Sequence, residues 1–560
     1  MKRIVLVSIG LLSMWTAVWA ADELSRDVTV QRDYNPTIGQ VSKPMLTPDK
    51  EDYKPEPPQV KYATWSKTEE VTLPTNEQKA TDADVTRLYD YKKGTFKAGL
   101  GFYWQVLGEF YYPLLQGDKY QLDVDVKHRS NWSKIALEDG TTPRGMSHVT
   151  DVALSYAHQF SSNRLSMKAD YAYTGYDYYG MSDEPITPFY KDTVGTNSAF
   201  NFEMELMSTN PKKSFQYQMA LDYLYFGRNF DISMHEVGFD GDFSGKVGSG
   251  HLGAEVEVDV HMFTLQEHPM HNVGVLKIAP YYGWHGEDWQ VELGAQLFAQ
   301  IAEGENPYPV TGAANIKAHV GIVPELFYLY AGITGDYSSN DYYSIVRENK
   351  YITPNLTVLP TYTPFDATIG LKISIMKGLL FDVDARYRIL LNQYYFVNHE
   401  HQSLNTTTGV MQTDYYTNTF DVVYEPTTHQ VSVGAGLHFD YVKGLDLSVG
   451  ARYNLWNVSQ CAYAWQKPTW EVSFKGTYNF LEKWQVGASY NFLTGRMALV
   501  KGQAVAMTDV HDVNVWASYK ALDWLSVFVE GKNLANIQSD VYYGYRSFGI
   551  NAMAGVTFSF

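Results

Sequence analysis

The sequence predicts an all-β protein: a transmembrane antiparallel β-barrel of about 22 strands (range roughly 18 to 24) behind an extended N-terminal arm. Three observations predict it. From Thr95 to Phe560, apolar and polar residues alternate in repeated segments of roughly 9 to 15 residues. Short and long connectors take turns between those segments. The chain also finishes on a two-faced stretch, "FGINAMAGVTFSF", apolar at every even position from Phe548 to Phe560.

The alternation is plain in several places. In "QVELGAQLFAQI" one face is Val291, Leu293, Ala295, Leu297, Ala299 and Ile301, and the other is mostly Gln, Glu and Gly. In "HLGAEVEVDVH" Leu252, Ala254, Val256, Val258 and Val260 oppose His251, Glu255, Glu257, Asp259 and His261. "LFDVDARYRI" sets Phe381, Val383, Ala385, Tyr387 and Ile389 against Asp382, Asp384, Arg386 and Arg388. These runs exceed the roughly 5 or 6 residues of an ordinary soluble strand and suit the roughly 9 to 11 of a tilted membrane strand. In a bilayer every backbone N–H and C=O must be paired, so strands can cross only as a closed barrel. The apolar face then meets lipid and the polar face lines the lumen.

The connectors support the same wiring. "YVKGL", "LEKW", "ALDW", "MKGL" and "FSSNR" are short, whereas 336–364, 392–427, 455–468, 495–508 and 533–545 are long. Periplasmic turns and extracellular loops alternate in this way. Counting gives about 21 segments, but a single-chain barrel of this kind needs an even number. The stretch "FKAGLGFYWQVLGEFYYPLL" is long enough to hide a hairpin. Its apolar residues, Phe96 to Tyr112, keep the phase of one long strand, which a hairpin preserves only through a turn such as one of about three residues.

Composition fits. The 560 residues include 44 Tyr and 43 Gly, and the net charge is -18. Mean hydropathy is -0.28, and no internal run approaches the roughly 18 to 20 apolar residues of a membrane helix. The acidic balance argues against nucleic acid, which needs clustered Lys and Arg. Residues 1–20 read as a signal peptide: Lys2 and Arg3, an apolar core, then Val18 and Ala20 before the cut. Cys461 is the only cysteine, so no intramolecular disulfide can form. Residues 21–93, with "KPMLTP" and "KPEPPQV", read as an extended, partly disordered arm, and 94–560 as the barrel.

A barrel of this size has a lumen wide enough to hold a plug or stay wet. Tyr176, Tyr178, Tyr179, Trp484 and Trp524 are candidates for the interfacial aromatic girdles. The lumen charge cluster comprises Glu255, Glu257, Asp259, Asp382, Asp384, Arg386 and Arg388; Asp123, Asp125, Lys127, Arg452, Glu530 and Lys532 share its face. His251, the three carboxylates and His261 could hold a cation, but a solvated or Arg-paired wall is favoured. Arg386 and Arg388 beside Asp382 and Asp384 read as a salt-bridged ladder rather than an anion filter. His261, Glu267, His268 and His271 match no metal-ligand spacing. There is no G-x-S-x-G, and Ser432 and His438 lie about 20 Å apart along one strand. No enzyme, metal or cofactor is expected.

"VNVWASYKALDWLSVFVEGKNLANIQSDVYYGY", followed by "GVTFSF", resembles the end of a TonB-dependent receptor barrel. The matching residues are Val529, Gly531, Asn533, Leu534, Asn536 and the terminal Phe560. The resemblance implies an outer-membrane barrel of a Gram-negative cell, acting in uptake or as an accessory to it. It also implies that Phe558 and Phe560 form a signal read by the outer-membrane assembly machinery. Such receptors carry a plug domain before the barrel. Residues 21–93 are too short for one and lack a βαβ pattern, so the chain is similar to plug-less relatives. "RDVTVQRDYNPTIGQVSK" is similar to an N-terminal signature of such proteins, and "DVTVQ" loosely resembles a TonB box, which pairs by strand addition. Asp27, Val28, Thr29, Val30, Arg32, Asp33, Tyr34, Asn35 and Pro36 are therefore expected to dock TonB or another envelope protein. Two alternatives remain: a structural or assembly partner in an outer-membrane complex, and a passive diffusion porin. Ligand choice would lie in 336–364 and 392–427.

Overall fold

A computed structural model describes residues 94–180, 194–229, 231–263, 271–303, 307–324, 326–354, 356–405 and 410–560, without the side chains of 401–417. The arm, including Asp27 to Pro36, lies outside the described residues, as do Glu267 and His268.

The hidden hairpin is present. Strands Thr95–Gly101 and Gln105–Gln116 are joined by a 3-10 turn, Phe102–Trp104. Leu100 pairs with Val106 and Gly101 with Gln105. Cross-strand partners share a face, and an odd turn separates partners by an even number of residues, so the apolar phase runs on unbroken. The tight turn holds Tyr103 at φ 61° and Trp104 at φ 49°, left-handed conformations uncommon for aromatic residues.

Twenty-two strands form one antiparallel sheet that closes on itself. The first strand pairs with the last, Asn551–Ser559, from Thr95 opposite Ser559 to Gly101 opposite Met553. Phe560 continues the ladder, donating its N–H to Gly94 at 3.0 Å and accepting from the Gly94 N–H at 2.7 Å. The terminus is thus held by the first strand. Two-facedness is equally direct. Leu293, Leu297 and Ile301 are exposed outward, while Gln296, Phe298 and Gln300 are buried inside. In the last strand Ala554 faces out and Asn551, Met553, Thr557 and Ser559 face in. A closed barrel with an apolar outer band belongs in a membrane, and one of this strand number is of the outer-membrane type. Trp484 and Trp524 stand outward at the short-turn end, as girdle residues should.

Four expectations need correction. Tyr176, Tyr178 and Tyr179 are not girdle residues: Tyr176 and Tyr178 are buried in an aromatic core inside the mouth, and Tyr179 packs against it. Phe548 precedes the last strand and packs, 5% exposed, on Ile135 and Leu137 of an extracellular loop. Segment 392–427 is mostly hairpin: its strands run Leu379–Asn405 and Val410–Phe439, 27 and 30 residues, against 7 to 16 elsewhere in the barrel. Segment 495–508 likewise holds a small separate hairpin, Met497–Val500 with Gln503–Ala506. In all four, residues above the membrane pack on one another, where alternation cannot distinguish lipid from protein.

Candidate functional site

Two regions could act on a solute: the charged lumen wall and the extracellular mouth.

On the wall, Lys277 stands directly opposite Glu257 and reaches it at 2.9 Å. It lies 3.9 Å from Glu255, which Lys317 approaches at 3.6 Å. Asp259 faces Gly238 across the ladder. The counter-ions here are lysines, not the arginines expected. His251 approaches Glu292 at 3.8 Å, whereas His261 lies 3.3 Å from Glu236 and 3.0 Å from the Ser339 hydroxyl at the mouth. Ten residues of strand put these histidines about 33 Å apart, so the structure does not assemble them with the carboxylates into one cation site.

The ladder exists but runs across strands. Arg386 Nε donates to Asp366 at 2.7 Å, and Arg388 Nε lies 3.0 Å from the same carboxylate. Arg452 holds Asp384 with two bonds of 2.9 Å, and Tyr330 donates to Asp382 at 2.9 Å. Cross-strand neighbours are about 5 Å apart, whereas i and i+2 on one strand are about 7 Å apart, which favours these partners. Asp384, Gly434 and Arg452 lie in register on three successive strands. A Cβ at Gly434 would stand 2.5 Å from Asp384 Oδ1 and 2.6 Å from Arg452 Nη2, so the glycine is what lets this pair close over it.

The mouth is different. Loop 339–360 folds inward as a strap carrying a short helix, Tyr342–Glu348. Asp341 caps it by accepting from the Ser344 N–H at 2.8 Å. The helix buries Tyr342, Ile345 and Val346, which join Tyr176, Phe226, Met234, Tyr351, Ile352, Phe396, Phe420 and Tyr545 in one core. The wall residues of that core come from the fifth to eighth strands and the fifteenth and sixteenth, roughly opposite arcs of the ring. The strap therefore crosses an opening on the order of 40 Å between backbones.

Polar contacts pin the strap along its length. Arg228, 5% exposed at the top of strand Phe215–Arg228, donates to the hydroxyls of Tyr342 (2.6 Å) and Tyr178 (2.8 Å). It also donates to the carbonyls of Ile352 (2.7 Å) and Lys350 (3.2 Å). Tyr176 donates to the Lys350 carbonyl at 2.7 Å. Thr353 N–H donates to Phe420 O at 2.8 Å, and Phe420 N–H to Tyr351 O at 3.2 Å. Lys467 pairs with Glu348 at 2.8 Å, and Tyr394 donates to the same carboxylate at 2.5 Å. Tyr351 and Tyr545 stack at 3.6 Å. Burial pushes the Lys350 ammonium down to about 8 and raises the Asp341 carboxyl. Sequence reading missed Arg228, Lys350 and this plate of tyrosines. The available signal was Asp341 before apolar Tyr342, Ile345 and Val346, a helix start inside a long loop.

No protein-family model matches the sequence. No curated protein matches it. The fold does have relatives among solved structures. The FrpB iron transporter of Neisseria meningitidis superposes with a TM-score of 0.64 at 10% identity, covering 85% of this chain and 83% of that one. The siderophore receptor PirA of Acinetobacter baumannii gives 0.62 at 10% identity, covering 84% and 80%. The pyoverdine outer membrane receptor FpvA of Pseudomonas aeruginosa gives 0.61 at 13%, covering 84% and 78%. These neighbours are transport receptors rather than enzymes. The fold of this chain is that of the 22-strand barrel of TonB-dependent outer-membrane receptors.

Proposed function

We propose that this chain is an outer-membrane uptake barrel whose mouth is shut at rest by its own extracellular loops. The strap 339–360 carries this reading. A strap pinned across the entrance by a buried aromatic core suits a gated conduit better than an open diffusion pore. The neighbours, named as a siderophore receptor, a pyoverdine receptor and an iron transporter, support uptake as the class of activity. On this reading residues 21–93 form an arm on the periplasmic side, and Asp27 to Pro36 dock TonB or another envelope protein by strand addition. Phe558 and Phe560 serve biogenesis. Phe558 lies between Phe96 and Trp524, at 6.4 and 6.0 Å between ring centres, and Phe560 stacks on Tyr112 at 6.1 Å.

Conductance in planar bilayers tests the reading. The intact protein should pass little current, and replacing 342–348 by a Gly-Ser linker should open it. Large steady conductance of the intact chain would make it a porin. A strapless variant that stays sealed would remove the conduit reading. Proline at Val30 should abolish arm-dependent uptake because it cannot donate to an added strand; unchanged uptake would free the arm of that role. The second reading, a partner in an envelope complex, draws on the hairpin Leu379–Phe439, which outgrows the membrane. Stoichiometric co-purification lost on deleting 399–416 would favour it.

A further inference from the structure

We propose that Arg228 forms a masked oxyanion site, and that a small ligand with clustered anionic oxygens displaces the strap carbonyls there and releases the mouth. The inference rests on the gated-conduit reading above.

The chemistry of Arg228 carries it. Arg228 makes its four hydrogen bonds to neutral acceptors, two phenols and two main-chain carbonyls, and its buried Nε has no partner. Lys350 meets Arg228 through its main-chain carbonyl alone, and its ammonium is held elsewhere. Its ammonium meets the Ser147 hydroxyl at 3.3 Å and the rings of Tyr176 and Tyr351 at 5.0 and 5.4 Å. Among the described residues neither cation is paired with a carboxylate. The acid nearest in sequence, Glu348, is taken by Lys467 and Tyr394.

A buried guanidinium facing only neutral dipoles keeps an uncompensated charge. Bonds to an ionised acceptor are about twice as strong as those to a neutral one. The planar fork of arginine matches a carboxylate or phosphate bidentately. An oxyanion is therefore a better partner for Arg228 than a peptide carbonyl. The carbonyls it would replace, Lys350 O and Ile352 O, are the ones that tie the strap to the barrel wall. Tyr176 loses its acceptor in the same step. Binding and closure thus compete for one set of donors, so the ligand has the differential affinity for the open state that a population shift requires. The ligand class is a compact anion with at least two charged oxygens, as in a phosphoryl group or a polycarboxylate.

Calorimetry and bilayer conductance on the full-length protein test this with sodium pyrophosphate and sodium citrate, against sodium chloride at matched ionic strength. Binding of one or both anions, with a rise in conductance that chloride does not produce, is expected. Pyrophosphate alone would assign a phosphate-bearing ligand, and citrate alone a polycarboxylate. R228Q should weaken binding at least tenfold and pass current without ligand. K350Q, which leaves the Arg228 guanidinium and the strap carbonyls in place, should keep the mouth shut and bind as the wild type does. Failure of both anions to bind the wild type, or wild-type binding by a folded R228Q, overturns the inference. If the strapless variant stays sealed yet calorimetry still shows Arg228-dependent binding, the conduit reading falls and the anion site stands.

Discussion

The mouth and the lumen wall use opposite means on the same strands. At the mouth, Tyr176, Tyr342, Ile345, Phe420 and Tyr545 have no exposed surface, and polar groups there are tied to carbonyls and phenols. Along the wall the residues are charged and half-open: the side chains of Lys277 and Glu257 are 23% and 38% exposed. A close-packed core feels the loss of even a small piece throughout its neighbours. Ion pairs in contact with water are replaceable one at a time. The difference assigns closure to the mouth and passage to the wall, and graded substitutions can break that assignment.

The largest effect is expected at Tyr545. Its ring stacks on Tyr351, touches the Tyr179 and Phe420 rings, and its hydroxyl donates to the Asn418 carbonyl at 2.5 Å. Tyr545→Ala should cost the closed mouth about 3 to 5 kcal/mol. Protease nicking of loop 339–360 should appear while the barrel keeps its heat-modifiable mobility on gels. An equally resistant strap would show that the core does not hold it. Next is Gly434→Val, which pushes a side chain between Asp384 and Arg452. A loss of about 1 to 3 kcal/mol in thermal unfolding in detergent is expected. Unchanged stability would mean that this pair, buried deeper than Lys277–Glu257, is as dispensable as the rest of the wall.

The barrel was legible in the sequence because lipid imposes a rule on every second residue. Leu252, Leu293 and Val433 obey it, and each places its whole strand. The even-number requirement pointed to a hairpin concealed within 96–115, and the structure puts its turn at Phe102–Trp104. Above the membrane that rule lapses. Tyr176, Tyr178 and Tyr179 carry the same letters as girdle tyrosines, yet bury against a strap from more than 160 residues away in sequence. Arg386 and Arg388 were recognised as paired, but their carboxylate, Asp366, sits on a neighbouring strand whose register the sequence does not disclose. Arg228 closed an ordinary-looking strand, and its four acceptors come from two stretches far from it in sequence, Tyr178 and the strap.

Acidity offers a gentler probe of the mouth. Lys350 has its ammonium lowered to about 8 from 10.5 by burial under the closed strap. An open strap returns it to water. Between those values the open state binds more protons than the closed one, so closure strengthens as pH rises through that window. Leak through the intact barrel should therefore fall from pH 7.5 to 9.5, and K350M should flatten the profile. The raised Asp341 carboxyl acts at the acid end, where rising pH weakens closure instead. A leak that increases with pH in the alkaline window would show that Lys350 is solvated in both states.

The smallest effect belongs to the wall. Lys277 bridges Glu257 and Glu255, and Asp240 and Asp242 stand opposite those two carboxylates on the adjoining strand. Like charges in direct register repel, so Lys277 screens a locally acidic wall. Its ion pairs are open to water, and such pairs contribute about 0 to 1 kcal/mol. K277Q should therefore leave unfolding within about 1 kcal/mol of wild type. What it should change is the field in the lumen. With the strap removed, K277Q should raise the ratio of cation to anion permeability, measured as reversal potential in a salt gradient, because four carboxylates lose a shared counter-charge. A stability loss as large as that of Tyr545→Ala, with no change in selectivity, would mean that the wall and not the mouth holds the barrel shut.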